Sequence, residues 1–305
     1  MNRPGRLTIA LGFVVLCLIW GSTWAVIQIG LEGVPPFSGV SIRFFIAAAV
    51  MLALTFLMRI RIGLSRRERV LWVVNGVLSF AVSYGVVYWS EQWVPSGLAA
   101  VLFATYPLFV AITAHFILPS ESLTRPEVWG ILAGFLGVAV IFSEDFAALG
   151  GPGVAVAAAV MLLSPSSAAI ASVAVKRWGS GIHPFSLTGV PMAIGAGLTG
   201  VIALLTERGR PIVWDTRSVS ALLYLAIMGS AVTFSLYYWL LSHLPAKRLA
   251  LIAYVIPVEA VLIGAFRNEP ITLRVILGAS MVIVGVALAV HRGDHGKRAL
   301  AKEVT

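Results

Sequence analysis

Ten runs of apolar residues, separated by short stretches that hold most of the Pro and Arg, divide the chain. They fall at Thr8 to Gln28, Phe37 to Met58, Val70 to Ser90, Ser96 to Ile117, Val128 to Ser143, Gly153 to Val175, Pro184 to Leu205, Val219 to Leu241, Arg248 to Phe266 and Arg274 to His291. A helix needs roughly 20 such residues to cross the hydrocarbon core of a bilayer. The pattern therefore predicts an all-α polytopic membrane protein with ten transmembrane helices, of which the fifth is the shortest.

The second half of the chain is a drifted copy of the first. Tyr88 to Pro107 reads YWSEQWVPSGLAAVLFATYP, and 150 residues later Tyr238 to Pro257 reads YWLLSHLPAKRLALIAYVIP. The copy continues at an offset of 148, with Glu121 answering to Glu269, Gly130 to Gly278 and Gly137 to Gly285. Five helices per unit is an odd number, so the second unit enters the membrane from the opposite side. That predicts inverted-topology repeats related by a pseudo-two-fold axis in the membrane plane. The expected boundaries are 8–145 for the first repeat, 152–291 for the second and 292–305 for a basic tail, with residues 144–152 as the junction.

Composition agrees with a membrane solvent. Hydrophobic residues make up 59% and charged residues 11% of the chain, and the mean hydropathy is +0.95; a soluble domain carries roughly 25% charge. The net charge of +9 does not describe a nucleic-acid face, because the Lys and Arg residues sit in short loops between apolar runs. Counted by loop, Arg3, Arg6, Arg59, Arg61, Arg66, Arg67, Arg69, Arg125, Lys176, Arg177, Lys247, Arg248, Arg292, Lys297, Arg298 and Lys302 fall on one side, against Arg208, Arg210, Arg217, Arg267 and Arg274 on the other. By the positive-inside rule both termini are cytoplasmic, and the N-terminal run reads as an uncleaved first helix. The single Cys17 excludes an internal disulfide.

Candidate chemistry is thin and scattered. Pro107 and Pro257 fall near the middle of helices four and nine, where each removes a backbone donor and frees the carbonyl of Phe103 or Ala253, which predicts hinges or cavity walls at the repeat interface. Glu259, two residues beyond Pro257, is a carboxylate at membrane depth that could bind a substrate ammonium or exchange protons, or could simply be bonded to neighbouring hydroxyls. Arg43 in helix two has two readings, a side chain reaching the outer surface or an ion pair with Glu91 at the outer end of helix three. Trp20, Trp24 and Gln28 share one face of helix one, and Tyr84, Tyr88 and Glu91 one face of helix three. Tyr106, Tyr237, Tyr238 and Tyr254 add hydroxyls at depth, each needing a partner in hydrocarbon. Trp72, Trp93 and Trp214 near helix ends read as interfacial anchors. Gly195-Ala-Gly-Leu-Thr-Gly200 fits a dinucleotide fingerprint but lacks the preceding strand, and Gly130-Ile-Leu-Ala-Gly134 reads as close helix packing. No histidines show metal-ligand spacing, and neither a metal nor a cofactor is expected.

Several of these stretches together carry a family resemblance. Trp20-Gly-Ser-Thr-Trp24, the Pro35-Pro-Phe37 entry with Arg43 behind it, Ser96 to Phe109, and the Glu121/Gly130/Gly137 and Glu269/Gly278/Gly285 patterns resemble the EamA-type transporters of the drug/metabolite transporter superfamily. The similarity runs from about residue 11 to residue 291. It departs from the family pattern at Ser120-Glu121 and Asn268-Glu269, where a Gly-Glu pair is usual. The resemblance implies a ten-helix permease or exporter of the bacterial inner membrane that handles amino acids and other small metabolites. A secondary transporter working by alternating access is thus the expectation, with the bilayer and a small molecule as partners, protons as a possible coupling ion, and no nucleic acid. A monomer and a homodimer both fit. The other class to weigh is a membrane-embedded enzyme acting on lipid-like substrates, which would need a concentrated catalytic cluster. One embedded Arg, one embedded Glu and many aromatics favour a neutral, zwitterionic or cationic substrate over a sugar phosphate.

Overall fold

A computed structural model describes residues 4–94, 96–121, 123–141, 143, 153–256 and 273–291, and among them every regular element is a helix. We label them α1 (Arg6–Leu31), α2 (Pro36–Leu57), α3 (Arg66–Ser90), α4 (Ser96–Phe103 and Tyr106–Ile117), α5 (Arg125–Ile141), α6 (Val154–Trp178), α7 (Ser186–Thr206), α8 (Thr216–His243), α9 (Ala246–Ala250, with helix again over 252–256) and α10 (Leu273–His291). Seven of these are long and apolar enough to cross a membrane: α1, α2, α3, α4, α6, α7 and α8. Their outer faces carry large exposed side chains such as Phe45, Phe56, Phe116, Val201 and Leu204. In water such a surface would aggregate; in lipid it is the ordinary exterior.

The helix ends are set by local chemistry that repeats between the halves. Ser65 accepts from the Glu68 amide at the start of α3, and Asp215, 150 residues later, accepts from the Ser218 amide at the start of α8. Pro36 opens α2 at a position where a missing amide hydrogen costs nothing. The Glu207 carboxylate then accepts from the Phe37 and Ser38 amides at 2.8 and 2.9 Å, binding the end of α7 to the start of α2. At the other end of α7, the Ser186 hydroxyl bonds the buried Glu68 of α3 and receives Trp72 Nε1 at 3.0 Å. Trp72 is therefore a buried contact rather than the expected anchor, whereas Trp93 and Trp214 are exposed.

Equivalent helices of the two halves pack side by side and antiparallel. Along α5 and α10, Gly130 meets Gly285 and Gly137 meets Gly278, so positions rise on one helix as they fall on the other. A Cβ on Gly137 would stand 2.6 Å from the Gly278 carbonyl, and one on Gly285 would stand 2.5 Å from the Gly134 amide. Only glycine permits that approach. In the same sense Ser41 of α2 bonds the Ala196 carbonyl of α7, and Gly189 near the start of α7 touches Met51 near the end of α2. The main core fills the space among α1–α4 and α6–α9, and a smaller one lies around α5 and α10, where Tyr254 bonds the Ile131 carbonyl at 2.8 Å.

Two helices depart from regular winding at matched places. Gly76–Ser83 in α3 and Ile227–Val232 in α8 are π-helical. Widened turns of this kind leave carbonyls without their usual helical donors and tend to mark functional positions. Pro107 differs from the sequence expectation: α4 breaks after Phe103, and Tyr106 and Pro107 begin a new segment instead of kinking a continuous helix. Proline's fixed φ suits the first turn of a helix, which is where the break places it. Pro257 and Glu259 lie outside the described residues.

Candidate functional site

A cavity of about 90 Å³ lies at the centre of the bundle. Trp20, Thr23, Trp24 and Ile27 of α1 form one wall, spaced as one helical face; Gln28 does not take part. Ser79, Ser83, Tyr84 and Val87 of α3 form another, and Phe103 and Tyr106 flank the break in α4. From the second half come Ala168 and Ser172 of α6, Phe234, Tyr237 and Tyr238 of α8, and Ile252, Ala253 and Ile256. Among the described lining residues none is charged and none is His or Cys.

Hydroxyls and aromatic rings organise the walls. Tyr106, Ser172 and Tyr237 form a closed ring of three hydroxyls with separations of 2.9, 2.7 and 2.8 Å. Trp20 packs against Phe234 and Tyr237, and Trp24 against Phe103, each pair in tilted or edge-on contact at 5.4 to 5.7 Å. Such geometry is the favoured one for aromatic pairs. The Trp20 indole Nε1 is buried and has no hydrogen-bond partner.

Two polar chains border the cavity, one towards each end of the bundle. Arg43 is fully buried and neither reaches the surface nor pairs with Glu91, so both readings of it are corrected. Its Nε donates to Ser230 Oγ at 2.8 Å, its Nη2 to the Gly229 carbonyl at 2.8 Å and its Nη1 to Tyr88 Oη at 3.2 Å. The Tyr84 ring lies 4.7 Å from the guanidinium carbon and adds cation–π attraction. Both Gly229 and Ser230 belong to the π-helical turn of α8, which supplies one backbone carbonyl and one side-chain hydroxyl as acceptors. The second chain starts at Tyr238, whose hydroxyl donates to Asn75 Oδ1 at 2.8 Å. Asn75 Nδ2 donates in turn to the Leu187 carbonyl at 2.9 Å. That carbonyl is the one Pro191 leaves without a helical donor.

Glu91, one residue past the end of α3, is 6% exposed, and neither carboxylate oxygen has a hydrogen-bond partner. Burial pushes its carboxyl well above the usual range, and the positive charge of Arg43 offsets this only in part. On the opposite side of the cavity a wider vestibule of about 960 Å³ opens between the ends of α6, α7 and α8, walled by Lys176, His183, Trp239 and His243 among others. Tyr238 lines both the cavity and this vestibule.

Of the residues picked from sequence, Trp20, Trp24, Tyr84, Tyr106 and Tyr238 meet at the cavity, and Arg43, Tyr88 and Glu91 form a group beside it. Ser172, Asn75, Ser230 and Phe234 were not picked. Asn75 carried a signal, being the one amide inside the third apolar run; a serine such as Ser230 looks like any other small residue in a span. No cluster of three or more potential metal ligands exists among the described residues.

Paired helices from two matched half-chains around a central cavity, with large apolar side chains on their outer faces, define a polytopic membrane protein. The chain belongs to the EamA-like transporter family, which it matches twice, over residues 7–143 and 155–291. It is 34% identical over 254 residues to the uncharacterized inner membrane transporter YedA of Escherichia coli (strain K12), covering 82% of this chain and 79% of the relative. The uncharacterized transporter YoaV of Bacillus subtilis (strain 168) is 26% identical over 284 residues, covering 91% and 95%. A protein of known crystal structure, 20% identical, superposes over 95% of this chain and 99% of its own with a TM-score of 0.75, a likeness of fold. The protein is a multi-pass inner-membrane transporter.

Proposed function

We propose that the protein is a secondary transporter of small metabolites, amino acids or related amphipathic compounds, that works by alternating access between two inverted five-helix repeats. Ten spans with both termini cytoplasmic complete this reading. The observation that carries it is the central cavity, built from both halves, walled by aromatic rings and hydroxyls and free of charged side chains among the described residues. A substrate admitted as the cavity widens beyond about 90 Å³ keeps an apolar or aromatic body against Trp20, Trp24, Phe103 and Phe234. Its polar end meets the Tyr106–Ser172–Tyr237 hydroxyls. Among the described lining residues a sugar phosphate would find no cation to pair its dianion. The antiparallel packing of α2 with α7 and of α5 with α10 supports a fold whose halves can exchange roles.

The test is counterflow in liposomes with labelled amino acids, aromatic cations and sugar phosphates. Saturable exchange of an amino acid or aromatic cation, abolished when Ala168→Phe fills the cavity, is the expected result. Exchange of sugar phosphates alone would overturn the substrate class. Absence of any exchange by folded, reconstituted protein would overturn the panel's choice of substrates and reopen the reading of the cavity.

A further inference from the structure

Four buried carboxylates among the described residues have partners: Glu68 with Ser186, Glu121 with the Ala246 and Lys247 amides, Glu127 with Thr124 and Lys247, and Glu207 with the start of α2. Glu91 is equally buried and has none. A carboxylate removed from water and left without a donor is strongly disfavoured in its charged form, so a neutral, protonated Glu91 is the species that fits this site.

The groups facing it define what could change that. From α2 comes Arg43, the one cation among the described residues that acts on it; from α3 itself comes Tyr88. The start of α6 packs against this end of α3 through the bond from Ser90 Oγ to the Ala157 carbonyl, and its residues Val154–Met161 do not titrate. From α8 come Gly229 and Ser230, which also do not titrate but hold two of the donor groups of Arg43. The guanidinium is thus near Glu91 and committed elsewhere.

We propose that Glu91 is a proton-binding site whose occupancy is set by the contact of Arg43 with Gly229 and Ser230. With that contact made, Glu91 holds its proton. When α2 and α8 separate there, Arg43 is released towards Glu91, the O–H bond breaks, the proton leaves to water admitted at that end, and the carboxylate pairs with Arg43. Opening of this end would then release one proton, and closing would take one up. The inference rests on the alternating-access reading above, and the experiment addresses the protein alone so that the two can fail separately.

Infrared difference spectra of the full chain in liposomes, recorded across a pH titration, read the carbonyl stretch of a protonated carboxyl directly. The wild type is expected to show this band near neutral pH and to lose it as the pH rises. Glu91→Gln should lack it, and Glu91→Asp should restore a band with a shifted midpoint. Ser230→Ala, which loosens Arg43 without touching Glu91, should lower the pH at which the band disappears. A band that persists in Glu91→Gln, no band in the wild type, or a midpoint indifferent to Ser230→Ala would each overturn the proposal. Counterflow on the same preparations reports separately on transport.

Discussion

The Tyr238 hydroxyl donates to Asn75 Oδ1 across 2.8 Å, and through Asn75 it ties α8 and α3 to the carbonyl that Pro191 frees on α7. Its repeat partner Tyr88 sits in a corresponding chain that runs through Arg43 to α8. Each matched tyrosine thereby contributes to a tie between the halves. Tyr238→Phe should lower stability by about 1–3 kcal/mol, the usual cost of stranding a buried partner. Chemical unfolding of Tyr238→Phe, Asn75→Ala and the double variant should show the two losses to be strongly non-additive; additive losses would mean the bond contributes nothing of its own.

Arg43 uses the fork geometry of a guanidinium to reach three acceptors at once. Lysine keeps the charge but cannot span them. Arg43→Lys is expected to cost about 1–3 kcal/mol and to abolish counterflow, whereas Arg217→Lys in the exposed pair with Glu32 should change neither measurement.

Trp20 offers a test of substrate contact, since it lines the cavity and its Nε1 bonds nothing in the protein. Trp20→Phe should weaken substrate binding about 5- to 10-fold, close to 1 kcal/mol, and should lower the unfolding midpoint only modestly, through packing lost against Phe234 and Tyr237. Unchanged affinity would place the substrate elsewhere in the cavity.

The glycine seam predicts a position-specific penalty. Gly137→Ala and Gly285→Ala each place a methyl group against backbone and should cost about 1–3 kcal/mol or more. Gly197→Ala meets nothing within 4 Å and should be neutral or slightly stabilising. Equal behaviour of the three would contradict the observed packing.

Glu127, ahead of the apolar run that begins at Val128, gives a pH dependence of known sign. Burial pushes its carboxyl up, but Lys247 at 2.9 Å and Thr124 outweigh this and hold it below the ordinary value of 4.5. A lowered folded-state value means the pair stabilises fully above the ordinary carboxylate range and loses its contribution as the pH falls through the lowered value. Unfolding midpoints of wild type and Lys247→Met should therefore differ at neutral pH and converge in acid.

Much of the architecture was legible because a bilayer imposes it. Apolar runs of the right length, and a second half that repeats Tyr88, Pro95 and Pro107 at a fixed spacing, leave few alternatives. The places of Trp20, Trp24, Tyr84, Tyr106 and Tyr238 were legible for a related reason, since polar or aromatic groups in apolar spans turn towards one another. The partners of Arg43 were not. They depend on π-helical turns that shift the register of α8, and hydropathy carries no trace of an extra residue in a turn. Trp72 misled because a tryptophan near a helix end looks the same whether it meets lipid headgroups or the hydroxyl of Ser186.

Where α5 meets α10, backbone lies on backbone. Interfaces made of side chains can change by swapping rotamers; a seam made of glycines has nothing to swap, and sliding it by a fraction of an ångström brings main-chain atoms into collision. That pair of helices is thus mechanically a keel. Whatever moves in this protein has to move around it, and a distance measured across the seam would serve as the fixed reference against which displacement of the other helices is read.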